Sequence, residues 1–194
     1  MPERVLLLAC GIFAREFKSL DPELQEKFKP TFFDSMLHMD PAALDGRVAE
    51  ALPPEGTPVV ILYGDCSPHM LEFGQKPACG RARGVNCCEI CLGAARYREL
   101  RKAGSFFFMP EWMARWETVF KQSLGLEDRE LAREFMRENM RELVYLDTGA
   151  PRPGAEVFEA ASDYIGLELR IEKVGTTGLE AALRAALLEA LDGN

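Results

Sequence analysis

Short apolar runs alternate with amphipathic stretches along the chain, and these two periodicities assign most of its elements. Residues 5–9, Val-Leu-Leu-Leu-Ala, read as a buried strand that stops at Cys10-Gly11. Phe13, Phe17 and Leu20 then share one helical face. Asp21-Pro22 pairs an N-cap with proline at the first helical position, which predicts a short helix to about residue 28. Residues 31–37 read as a second strand, and Asp40-Pro41 opens a helix striped by Leu44, Val48 and Leu52. After the break at Pro53-Pro54-Glu55-Gly56 comes the clearest strand, 59–63, which ends at Gly64-Asp65-Cys66.

The stretch 67–84 mixes proline, glycine and basic residues and reads as a long loop with a short strand near 81–83. A helical pattern over 87–102 leads to a strand at 105–108. Pro110 starts a helix with Trp112, Trp116, Val119 and Phe120 inward, and 127–141 is a charged amphipathic helix. Strands follow at 143–146 and 167–171, and Leu179, Leu183, Leu187 and Leu191 stripe a last helix. Strands alternating with helices across short turns predict a three-layer α/β/α fold with a mostly parallel, Rossmann-like sheet. No internal linker is visible, so one domain over 1–194 is expected.

Charge narrows the class of partner. The chain carries 31 acidic and 23 basic side chains, a net −8, which gives no attractive field for phosphate backbones and argues against nucleic acid. No apolar run nears the roughly 18 residues of a membrane span, so no membrane partner is expected. Leu7-Leu8-Ala9-Cys10 mimics a lipoprotein cleavage box. The apolar stretch before it covers only residues 5–9, against an h-region of roughly 7–15, and Pro2-Glu3-Arg4 is no basic n-region. Cys10 is therefore expected to be retained and the protein to be cytoplasmic.

In a reducing compartment, cysteines that cluster point to metal or thiolate chemistry rather than disulfides. Five of the six, Cys66, Cys79, Cys87, Cys88 and Cys91, fall within 26 residues, and the sixth is Cys10. Ligands of open parallel sheets bind beyond the carboxyl ends of the strands. Cys10, Cys66 and Cys87 each fall at a strand-to-helix junction, and His38 follows the second strand, so the four would converge if those strands are neighbours. Thiolates and an imidazole suit zinc, and three thiolates alone can hold a [4Fe-4S] cluster with one open iron. The helix starts beside Cys10 and Cys87 would lower their thiol pKa.

On a helix Cys87 and Cys91 share a face while Cys88 turns away, so Cys88 and Cys91 read as packing residues rather than a redox pair. Asp65 and Glu89 flank the ligands. Each is a general base or ligand-orienting group, or else a turn-forming and a helix-dipole carboxylate. His69 reads as a loop residue, Arg81 and Arg83 as groups that could meet an anionic substrate, and Gly175-Thr176-Thr177-Gly178 as a helix-capping turn.

Five strings in order, Ala9-Cys10-Gly11, Leu37-His38-Met39-Asp40-Pro41, Tyr63-Gly64-Asp65-Cys66, Asn86-Cys87-Cys88-Glu89 and Gly104-Ser105-Phe106-Phe107-Phe108, resemble an uncharacterised bacterial and archaeal domain family. Genes of that family often lie beside those of corrinoid-dependent methyltransferases. The resemblance spans most of the chain and implies Cys10, His38, Cys66 and Cys87 as recurring positions. It also implies a small-molecule substrate or a corrinoid methyltransferase system as partner. This chain departs from the family in having Asn86-Cys87-Cys88 where a His-Cys-Tyr string is usual, and Ser67-Pro68-His69-Met70 in place of a glycine-rich stretch. The expectation is a metal-binding protein of methyl-group or thiol metabolism, its metal zinc or a [4Fe-4S] cluster. The alternative is a non-enzymatic accessory protein that carries a metal or binds a partner.

Overall fold

A computed structural model describes residues 4–193; Pro2-Glu3, part of the leader argument, lies outside the described residues. The elements run β1 (Val5–Cys10), α1 (Ala14–Phe17), α2 (Pro22–Gln25), β2 (Phe28–Phe33), α3 (Pro41–Ala51), β3 (Val59–Leu62), α4 (Met70–Gly74), β4 (Cys79–Arg81) and α5 (Cys87–Leu92). They continue with α6 (Ala94–Ala103), β5 (Ser105–Phe108), α7 (Pro110–Ala114), α8 (Arg129–Asn139), β6 (Glu142–Asp147), α9 (Ala155–Ile165), β7 (Leu169–Lys173) and α10 (Thr177–Asp192). The chain forms two compact units. One runs to Gly93 and resumes at Thr176; the other is Ala94–Gly175. The strands accordingly form two sheets rather than one, in the orders β2-β1-β3-β4 and β5-β6-β7, and every pairing is parallel. Parallel sheets flanked by helices make this the Rossmann-like α/β class that the alternating pattern predicts.

In the first unit β1 and β3 are central, and the unbroken apolar runs follow from burial on both faces. The second strand begins at Phe28, three residues earlier than its apolar pattern suggests, and ends at Phe33. It is an edge strand with Pro30 opposite Leu7, and an edge tolerates both the proline and the exposed Lys29, Pro30 and Thr31. His38 therefore lies in a 3-10 turn, Ser35–Met39, rather than directly after a strand. The 67–84 loop contains α4, and its strand is Cys79–Arg81, two residues earlier than expected. α10 covers β3 and β4 and lies so close that a Cβ on Gly80 would sit 1.7 Å from the Ala186 carbonyl oxygen.

In the second unit the helical pattern of 87–102 restarts after Gly93, whose φ of +75° ends α5. The core is aromatic: Phe108, Trp116, Phe120 and Tyr145 are buried with Leu143, Met136 and Ile165. Phe120 meets Phe106 and Tyr164 edge-on, with centroids 6.2 and 6.4 Å away. Lys121 lies over the rings of Tyr164 and Trp116. A side-chain chain, Ser105–Glu142–Arg170–Glu172–Arg96, fastens the surface of this sheet to α6. Arg170 holds the Glu142 carboxyl below its usual range, and Arg96 does the same for Glu172. α9 has no counterpart in the apolar stripe reading, since Ala161 and Ile165 are its only fully buried positions.

Candidate functional site

The carboxyl edge of the first sheet is assembled by register and by two glycines. Ala9 pairs with Leu62, and one residue further on stand Cys10, the last of β1 and still opposite Phe33, and Tyr63, the first beyond β3. A Cβ on Gly11 would lie 2.6 Å from the Phe33 carbonyl oxygen, which is how the end of β2 comes against the end of β1. A Cβ on Gly64 would lie 2.4 Å from Cα of Asn86. Only a glycine lets the turn after β3 touch the residue that caps α5, and Cys66 and Cys87 follow those two positions in the chain. Asn86 caps α5 by accepting from the Glu89 amide at 3.0 Å.

The thiols respond to one another. Burial pushes the Cys66 thiol up to about 11, and Cys87 is the next cause. Cys87 lies well above the usual thiol value, first through its contact with Cys88, whose sulfur is 3.9 Å away, and then through burial. Burial likewise raises Cys91 well above its usual value, followed by Cys87 and Glu16. The lowering expected from the helix start at Cys87 is thus outweighed by burial and a neighbouring thiol. The separation expected between Cys87 and Cys88 also fails. Cys87 opens α5, so no preceding turn confines its side chain.

Tyr63 stands among these groups. It is 1% exposed, its hydroxyl oxygen is buried with no hydrogen-bond partner among the described residues, and such a group costs about 1–3 kcal/mol if left unsatisfied. Burial raises its pKa far above the ordinary phenol value, and Cys10, Cys66 and Asp34 add to the shift in that order. Tyr63, Asp34 and the fully buried Glu16 are the residues that sequence reasoning missed. Tyr63 read as the last apolar position of a strand, Asp34 lay inside an expected strand, and Glu16 sat between Phe13 and Phe17 on a helix judged by its phenylalanines.

The other predicted residues are placed as follows. His38 Nδ1 lies 2.6 Å from the Ser35 carbonyl oxygen, so Nδ1 carries a proton and donates. Asp65 pairs with Arg81 at 2.9 Å, and Arg81 also donates to the Tyr63 carbonyl. The Glu89 carboxylate accepts from the Val85 amide at 2.7 Å and helps close the turn before α5. Arg83 pairs with Glu189 on α10. Gly178, where a Cβ would lie 2.2 Å from the Cys91 carbonyl oxygen, seats the start of α10 on the end of α5. His69 Nδ1 donates to the carboxylate of Asp45 on α3 across 2.7 Å. Cys79 lies at the opposite end of the sheet, lining a cavity of about 410 Å³ with Phe73, Val59 and Leu52.

Among the described residues no three His, Cys, Asp or Glu side chains stand close enough together to hold a metal ion as they are placed. The donor set nevertheless suits a soft or borderline cation: thiols from β1, from the turn after β3 and from the start of α5, with an oriented imidazole on the neighbouring turn. No helix of the described residues is long and apolar enough to cross a membrane.

An α/β protein with several cysteines at the carboxyl ends of parallel strands is the class that fold and sequence define. Residues 32–183 match the family described as Protein of unknown function (DUF1638), and the chain belongs to that family. The matched stretch includes His38, Cys66 and Cys87, whereas Cys10 precedes it. No curated protein and no solved structure matches the chain.

Proposed function

We propose that the protein binds a metal ion through Cys10, Cys66 and Cys87, with His38 as the fourth donor, and acts in methyl-group or thiol metabolism. The observation that supports this reading is the placement of Cys10 at the end of β1, Cys66 just after β3 and Cys87 at the start of α5, with Cys66 influenced by Cys87 and Tyr63 by both Cys10 and Cys66. Side-chain rotation would have to close the donors around the ion. The His38 geometry suits a ligand, because a backbone carbonyl that fixes one ring nitrogen is the usual support for metal binding at the other. Bound zinc would supply a lowered pKa for a substrate thiol and present it as a nucleophile. Four protein donors close a tetrahedral sphere, so turnover requires His38 to yield its position to the substrate. Asp65, held by Arg81, and Glu89, held by Val85, would orient the turns that carry Cys66 and Cys87 or receive the substrate proton.

Anaerobic purification with zinc, iron and sulfide analysis tests the proposal. About one zinc per chain is expected, lost in Cys87→Ser and kept in Cys91→Ser. His38→Ala should weaken zinc about 10- to 100-fold. Iron with sulfide that survives His38→Ala would select the three-cysteine [4Fe-4S] reading instead. A protein with neither metal under these conditions would sink both.

A further inference from the structure

We propose that the cavity at the amino ends of β3 and β4 is a binding site for a free α-amino acid with an apolar side chain, its carboxylate met by Lys76 and its ammonium by Glu55. The site stands apart from the metal-binding reading, which concerns the opposite end of the same sheet.

The cavity is built by two loops that run into neighbouring strands. Val59 and Cys79 pair in the sheet, so Glu55 and Thr57, just before one, and Lys76 and Pro77, just before the other, flank the same opening. Its volume of about 410 Å³ falls at the small end of the roughly 300–1,000 Å³ usual for small-molecule sites. Phe73, Val59 and Cys79 on its wall are at most 9% exposed, so the space reaches the apolar core.

The walls are formed in advance. Pro53, Pro54 and Pro77 line the cavity, and each fixes its own φ, so a ligand has little backbone to order on entry. The Thr57 amide closes the first loop on the Pro54 carbonyl at 3.1 Å, and the Cys79 amide closes the second on the Lys76 carbonyl at 3.1 Å. Between Pro77 and Cys79, Ala78 holds a φ of +55°, the one non-glycine residue at positive φ among the described residues. Its carbonyl accepts from the Val59 amide at 3.0 Å, so the sheet itself keeps the strained turn in place. Backbone strain of this kind collects at ligand clamps.

Charge selects the ligand. Lys76 and Glu55 both line the cavity, and neither forms an ion pair with another described residue. An acid alone would meet the like charge of Glu55, and an amine alone that of Lys76; a zwitterion answers both. Its apolar remainder fits against Phe73 and Val59. Burial pushes the Cys79 thiol up to about 11, against the pull of Lys76 and then Arg81, so the thiol stays neutral and completes the apolar wall.

The test is calorimetric titration with L-leucine, 4-methylpentanoate and 3-methylbutylamine, which share the apolar body and differ in the charged groups. L-Leucine should bind once per chain, and each singly charged analogue about 10- to 100-fold more weakly, the scale of a lost hydrogen bond to a charged group. Lys76→Met should weaken L-leucine by a similar factor and leave the amine unaffected, and Glu55→Gln should do the converse with the acid. Bound L-leucine should also slow alkylation of Cys79 by N-ethylmaleimide, mapped by mass spectrometry. It should not slow that of Cys66, whose thiol is also pushed up to about 11 but which follows the carboxyl end of β3. No saturable binding of L-leucine, L-valine or L-phenylalanine overturns the proposal. So does 4-methylpentanoate or 3-methylbutylamine binding as tightly as L-leucine, or L-leucine binding that neither substitution weakens and that leaves Cys79 unprotected.

Discussion

The two units reach compactness by different means. In Ala94–Gly175, interlocking rings fill the space between sheet and helices, with Phe120, Phe106, Trp116 and Tyr164 in mutual contact. In the other unit, backbone lies directly on backbone: Gly11 on Phe33, Gly64 on Asn86, Gly80 on Ala186 and Gly178 on Cys91. The chemistry divides the same way. All six cysteines lie in the unit of close backbone contacts, and both tryptophans in the aromatic one. Rings can shift by rotamer and still fill a volume, but backbone-on-backbone contact has no such freedom. The unit that carries all six cysteines is the one built on the less forgiving contact.

The sharpest test of this division is Phe120→Ala, which should destabilise the aromatic unit by about 3–5 kcal/mol. Tryptophan fluorescence should report unfolding at lower denaturant, with the reactivity of the buried thiols unchanged at that concentration. Thiols that become reactive in the same transition would show that the two units unfold as one. Gly64→Ala should act in the opposite sense, costing about 1–3 kcal/mol through overpacking and exposing Cys66 and Cys87 to a thiol reagent while the tryptophan signal holds. As its internal contrast, Gly46→Ala on α3, where a Cβ meets nothing within 4 Å, should stabilise by about 0.5–1 kcal/mol.

The smallest effect is electrostatic. The Asp45 hydrogen bond raises the pKa of the exposed His69, while burial raises that of Asp45 and is outweighed by its hydrogen bonds to Ser67 and His69. The histidine contribution is whole below its unfolded pKa of about 6.5 and is lost as pH rises through the raised value. The aspartate contribution is whole above about 3.9 and is lost as pH falls through the lowered value. The tie between α3 and the turn before α4 is therefore complete between about pH 4 and 6.5. Titration of the His69 ring by NMR should show the raised value, and Asp45→Asn should return it to the ordinary one.

Much of this architecture is legible in the sequence where burial is complete and one-sided cues agree. β1 and β3 are unbroken apolar runs in the middle of a parallel sheet, and Asp21-Pro22 and Asp40-Pro41 do start helices, with each aspartate accepting from a helical amide. Legibility fails where an element is not required to be apolar. β2 is an edge strand, so Lys29 and Thr31 blurred its start, and α9 buries too little to stripe. The positions of Cys10, Cys66 and Cys87 at turns were readable, because strand ends are marked by glycine. That Gly64 presses on Asn86 was not, since the contact joins residues 22 apart and depends on a sheet order that periodicity does not encode. The direction of the thiol pKa shifts was misread for the same reason: the helix start is local and visible, but the burial that overrides it comes from the whole unit.

The unit that holds the thiols is interrupted in the chain: it stops at Gly93 and is completed by α10, after the whole of Ala94–Gly175. During synthesis on the ribosome, the aromatic unit can be finished first, whereas β3 and β4 wait for the last helix to emerge. Until then the face of Gly80 that takes Ala186 is bare, and the end of α5 lacks the seat that Gly178 fills. For the time needed to translate the intervening 82 residues, the cysteines belong to an unfinished unit whose closing helix has yet to be made.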